Sequence, residues 1–155
     1  MRAKYFVLLL ILNLIYCKKS SIFTEIDASF KSLDDVFIAE FKNQPKQVEK
    51  NTELTLEAKE AKTGHFGTLL SIDVWEFADD AQAKQGYETL AGAERQNAPR
   101  EYDQTKAGEY RYTFVRSTGI AGEIFTAKKI LFRILGENKD TIREYLVASK
   151  LGRIR

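Results

Sequence analysis

One cysteine stands in this chain, Cys17, directly after a short apolar run. A single thiol permits no internal disulfide, so whatever follows it must be held together by packing alone. The 155 residues, 44% of them hydrophobic, suffice for one domain with a substantial core. Basic and acidic residues number 24 and 22, for a net charge of +2. That balance offers no general argument for a polyanion as partner.

The apolar run extends from Tyr5 to Ile15, broken only by Asn13, and follows the basic residues Arg2 and Lys4. A spanning helix needs about 20 apolar residues, and this run is shorter. Its length and flanks predict a secretory signal peptide over residues 1–16. No small-x-small cleavage site is present; Leu14-Ile15-Tyr16-Cys17 stands there instead, followed by Lys18-Lys19-Ser20-Ser21. This region resembles a bacterial lipoprotein signal peptide. The family pattern is leucine, then alanine or serine, then glycine or alanine, then cysteine. Leu14 fits, Ile15 is acceptable, and Tyr16 departs from the small residue; the looser cysteine motifs of spirochaete lipoproteins are similar. The resemblance implies that Cys17 opens the mature chain, with a diacylglycerol on its sulfur and an acyl group on its amine. Each buried methylene adds about 0.8 kcal/mol of membrane affinity, and one chain alone binds marginally. Two or three chains hold firmly. Residues 17–21 would then be the lipidated cysteine and a short tether, and 22–155 a single α+β domain. Without Arg2 and Lys4 the basic and acidic residues balance.

Within that domain, Ile22, Ile26, Phe30, Leu33, Phe37 and Phe41 recur at helical spacing. Ser32 with Asp35 three residues on suggests a cap, so a helix is predicted over 32–42, starting near 22 in a longer version. Residues 22–31 also fit an edge strand. The apolar stripe reads as core-facing. The alternative is an interfacial helix on the membrane, opposed by Glu25, Asp27, Asp34, Asp35 and Glu40 on its polar face. Pro45 ends the helix. Residues 52–61 alternate through Leu54, Leu56 and Ala58 as a half-buried strand. Lys62-Thr63-Gly64 reads as a turn, and 65–77 as the most apolar strand. Asp79 or Asp80 caps the next helix, with Ala83, Tyr87, Leu90 and Ala91 as its buried stripe and Gly92 as its end. Residues 93–108 read as a polar loop. Tyr110, Tyr112 and Phe114 face together on a strand over 109–116, and 123–135 form another. The last helix follows Gly136-Glu137-Asn138, its stripe being Ile142, Tyr145, Leu146 and Ser149.

The expected fold is thus α+β in the order α-β-β-α-β-β-α: roughly four antiparallel strands with the helices packed on one face. The stretch Val74-Trp75-Glu76-Phe77-Ala78-Asp79-Asp80-Ala81, a strand ending in Phe followed by an acidic cap and an alanine-rich helix, resembles small exported lipoprotein domains. That similarity brings no site with it.

Catalytic chemistry finds little support. The one histidine, His65, lies beside Gly64 and Gly67 and reads as a half-exposed turn residue; no Gly-x-Ser-x-Gly elbow occurs. A zinc site needs three or four ligands, and calcium an acidic loop; neither set is present in the sequence. Gly119-Ile120-Ala121-Gly122 lacks the Gly-Lys-Ser/Thr end of a phosphate loop. No metal and no cofactor is expected. Asp73 interrupts an apolar strand on the face of Trp75, where an aromatic setting can raise a carboxyl pKa; the plainer reading is a charge on the solvent side of a one-sided sheet. Asp73 and Glu76, three apart on a strand, point to opposite faces. The densest basic-aromatic stretch, 95–116, includes Arg95, Arg100 and Lys106. Interleaved Glu94, Glu101, Asp103 and Glu109 weaken any phosphate-tracking field, and nucleic acid is not expected.

The resulting expectation is a non-enzymatic binding or interaction module, anchored through lipid on Cys17 at the outer membrane or cell surface. Its partner would be an envelope protein, a glycan or a small ligand, with Asp73, Trp75, Arg95, Arg100 and Lys106 as candidate contacts. Two alternatives remain: a small-ligand carrier with a pocket between sheet and helices, and an envelope enzyme with an unrecognised site.

Overall fold

The computed structural model describes residues 32–52, 57–97, 100–102, 110–149 and 151. Cys17, the signal region, the tether, the stripe positions Ile22, Ile26 and Phe30, and the strand positions Leu54 and Leu56 lie outside them. In chain order the elements are a 3-10 turn Leu33–Val36, β1 Glu40–Phe41, β2 Gln44–Pro45, β3 Gln47–Lys50, β4 Glu60–Phe66, β5 Leu70–Glu76, α1 Asp80–Asn97, β6 Arg100–Tyr102, β7 Arg111–Val115, β8 Ala121–Ala127, β9 Ile130–Gly136 and α2 Lys139–Ala148. The class is α+β. The sheet is larger than four strands: seven, all antiparallel, in the order β3-β4-β5-β9-β8-β7-β6, with β1 and β2 forming a separate ribbon.

The two helices lie on opposite faces, which corrects the one-face expectation. Strand parity shows why. Tyr112, Phe114, Ile124, Leu131 and Trp75 share one face and pack with Ala83, Tyr87, Leu90 and Ala91 of α1. Phe125, Phe132, Ile134, Ile72 and Val74 share the other and pack with Ile142, Tyr145 and Leu146 of α2. Central strands covered on both sides carry consecutive apolar residues rather than alternating ones. Ile124-Phe125 and Leu131-Phe132 are such pairs, all four buried.

No helix spans 32–42. Ser32 caps the short 3-10 turn, its amide bonded by Asp35 Oδ2 at 3.1 Å. A tight ribbon follows, with Lys42 and Asn43 both at positive φ (49° and 60°), the conformation of a two-residue hairpin loop. Leu33, Val36, Phe37 and Phe41 nonetheless all enter the α2-side core. For these four residues the core-facing reading holds without the helix.

The first hairpin also shifts. Residues 62–64 lie inside β4, and the turn falls at 67–69, where Gly67 has φ +55°. Gly64 serves a different purpose: a β-carbon there would overlap the Phe37 ring. Helix α1 begins as expected, with Asp79 Oδ1 accepting from the Gln82 amide at 2.9 Å. It runs past Gly92, whose α-carbon has open space beside it, and takes in residues expected as loop. The stretch expected as one strand over 123–135 is two, β8 and β9, reversed at Lys128-Lys129. Helix α2 is capped by Asn138, which accepts from the Thr141 amide at 2.9 Å, and buries the expected stripe.

Candidate functional site

Asp73 sits mid-strand in β5, directly opposite Thr63 of β4 and Arg133 of β9. All three side chains project to the α1 side of the sheet, beyond the area that the helix stripe fills. Rather than facing solvent, Asp73 is 3% exposed and Arg133 6%. Two buried charges require pairing and full hydrogen bonding, and both are provided. Arg133 Nε donates to Asp73 Oδ2 at 2.8 Å, and a terminal guanidinium nitrogen reaches the same oxygen at 2.7 Å. Thr63 Oγ1 donates to Asp73 Oδ1 at 2.6 Å, and Asn51 Nδ2 to that oxygen at 2.8 Å. Asn51 also lies 2.7 Å from Thr63 Oγ1. The guanidinium further approaches the Trp75 ring, 5.7 Å from its centroid. This cluster ties β3, β4, β5 and β9 together across four neighbouring strands.

Beside it an open groove of about 670 Å³ runs around the β3 edge of the sheet, walled by Val48, Asn51, Ala58, Ala61 and Trp75. Its rim carries both charge signs: Asp34, Glu49 and Glu60 with Lys50, Lys59 and Lys62. Lys62 bridges Asp34 at 2.9 Å and Glu60 at 3.0 Å; these hydrogen bonds raise its pKa above the ordinary lysine value. Val48 is one of few large apolar side chains exposed among the described residues. Trp75 is 1% exposed, and its indole N–H has no acceptor among the described residues. A buried donor left unmatched costs about 1–3 kcal/mol.

The other candidates fall elsewhere. Arg95, in the last turn of α1, lies over the Tyr112 ring at 5.0 Å and near Glu88 at 3.9 Å. Its neighbours are also used within the fold: Lys84 lies over Tyr110, and Arg116 clamps the buried Glu94 of α1 through Nε (3.0 Å) and a terminal nitrogen. Among the described residues of the basic-aromatic stretch, Arg95 and Arg116 thus pin α1 to the β7 side of the sheet. Arg100 belongs to β6, but its side chain, like all of Lys106, lies outside the described residues. His65 is within β4, not in a turn, 3.5 Å from Glu49. Among the described residues no group of three or more His, Cys, Asp or Glu could hold a metal, and no helix is long and apolar enough to cross a membrane.

Arg133, Asn51 and Thr63 were not singled out by sequence. Arg133 carried the signal that marked Asp73: a charge inside an apolar strand, Leu131-Phe132-Arg133-Ile134. Two such interruptions of opposite sign in one sheet suggest a buried pair. Asn51 and Thr63 carry no comparable signal, because polar residues near strand ends are ordinary.

The chain matches no protein-family model, and no curated protein or solved structure shows significant similarity to it.

Proposed function

We propose that this is a lipid-anchored exported domain that binds an extended polypeptide segment of an envelope partner in the groove at the β3 edge. The observation that carries the reading is the sheet edge beside the groove, where β3 offers main-chain groups for pairing with an added segment. All four residues of β3 are exposed, and it terminates the sheet order. The mixed rim suits side chains of both signs, giving specificity more than raw affinity. Asp73 favours binding over catalysis. Both its oxygens are committed to Arg133, Thr63 and Asn51, which suits a scaffold better than an acid or base. The anchor rests on Cys17 and the run before it.

A photoreactive amino acid placed at Val48 in the full chain, in its own envelope, tests the groove. A discrete adduct is expected from Val48 and none from Val147, another exposed valine, on α2. Equal labelling from both positions, or none from Val48, would contradict the reading.

A further inference from the structure

The edge strand β3 offers a defined set of main-chain groups. The Asn51 N–H donates to the Ala61 carbonyl at 3.1 Å, one step beyond the Lys50–Lys62 pair of the β3–β4 ladder. An antiparallel strand turns its main chain alternately to one neighbour and to the other. Gln47 and Glu49 therefore bond β4, while Val48 and Lys50 turn their N–H and C=O groups outward. Lys46, next in that alternation, is already taken: its N–H donates to the Ala39 carbonyl at 3.0 Å. Among the described residues no strand lies beyond β3 in the sheet. The open edge is thus the main chain of Val48 and Lys50.

Side chains decide what can pair there. Glu49 stands opposite Thr63 and so lies on the α1 face, while Val48 and Lys50 lie on the α2 face. The Glu49 side chain is 71% exposed, with His65 3.5 Å away. Lys50 stands opposite Lys62, a like charge whose own neutralising partners are Asp34 and Glu60. Like charges directly opposite each other destabilise a sheet, and opposite charges stabilise it. An added strand is favoured when it sets an acid against Lys50 and a base against Glu49.

The same rule rejects a second copy of this chain. A twofold axis between two β3 strands keeps each face of the sheet continuous, so a symmetric antiparallel pair centres on one residue and its copy. Centred on Val48, it sets Lys46 against Lys50. Centred on Glu49 or on Lys50, it sets that charge against itself. Centred on Gln47, it calls for the Lys46 N–H that Ala39 occupies. Charges of this kind are a common guard against edge-to-edge self-pairing.

We propose that the occupant of this edge is an antiparallel strand of a different protein, with an acidic residue opposite Lys50 and, directly after it in sequence, a basic residue opposite Glu49. The next residue of that strand faces Val48. The inference rests on the edge-binding reading above and adds the sequence pattern of the partner.

The test maps the photo-adduct formed from position 48 of the full chain in its own envelope, by mass spectrometry after cleavage at aromatic residues. The attachment site is expected in another protein, within a residue or two after an adjacent acid-base pair. The reversal Glu49→Lys with Lys50→Glu should cut the adduct yield about tenfold, since two favourable cross-strand pairs become two repulsive ones. Both positions are exposed, and urea titration of the reversed chain checks that it is folded. The attachment site is read on the unreversed chain, so it decides even where the reversal perturbs folding. An adduct to a segment without that pair, or to a second copy of this chain, would overturn the proposal and leave the edge as a docking strand. A yield that the reversal does not change would overturn it in the same way. No adduct from position 48 would overturn both this proposal and the edge reading.

Discussion

The fate of Asp73 turns on its partner. A carboxylate alone in an apolar strand suggests either solvent or a reactive site. With Arg133 opposite it in register, the same carboxylate is half of a buried ion pair. Removing one member of such a pair leaves the other charge uncompensated, at a cost of about 3–5 kcal/mol. Asp73→Ala should therefore lower the unfolding free energy by that amount in urea titration. The joint change Asp73→Leu with Arg133→Met should cost markedly less than either single replacement. Equal or additive losses would show that the pair is not the unit.

Glu123 makes a second residue-scale prediction. Burial raises its pKa above the usual carboxylate value, opposed by the charge and hydrogen bond of Arg111. Its ion-pair partner is Arg111 on β7, and Lys139 and Arg143 of α2 line the same cavity. A carboxyl whose folded pKa is raised binds its proton more tightly when folded. Its contribution to stability is full below the unfolded pKa and is lost as pH rises through the folded value. Glu123→Gln abolishes that loss. The variant should thus gain stability relative to wild type as pH rises from about 4 towards neutrality, measured by denaturant titration at each pH. Parallel curves for the two proteins would contradict the assignment.

At the scale of elements, the sequence was legible where a stripe or cap made its own case. The buried face of α1, the Tyr112–Phe114 face of β7 and the whole of α2 are as read. The losses have physical causes. The β8–β9 reversal was hidden because Lys128-Lys129 contains none of the usual turn residues. Lys128 pays for this with φ 52° at the first loop position, where glycine is at home. Lys128→Gly should stabilise the hairpin by about 0.5–1 kcal/mol, raising the melting temperature by a few degrees; a lower melting temperature would mean that the lysine side chain contributes more than its strain costs. Gly64 and Gly92 misled in the opposite direction. Each looked like a stop, yet one makes room for Phe37 and the other is an ordinary interior helix position. The apolar steps of 32–42 suited a helix, but a 3-10 turn and a two-residue ribbon bring the same side chains to the same core.

Over the whole molecule, the α+β class followed from the pattern of elements, whereas the two-sided sheet did not. Central strands that are apolar on both faces show no alternation, which lets neighbouring strands read as one and hides the packing of helices on both sides. The groove could not be read for a further reason: it is made by residues distant in sequence, such as Val48 and Trp75, brought together by strand order.

The central claim is that this domain works while tethered by lipid at Cys17, and its most direct test is metabolic labelling with an alkyne fatty acid followed by envelope fractionation. The wild-type chain should carry the label and sediment with membranes. Cys17→Ser should carry none, and should either appear in the soluble fraction or persist as an unprocessed precursor. A Cys17→Ser protein that is processed, labelled and membrane-bound like the wild type would contradict the account.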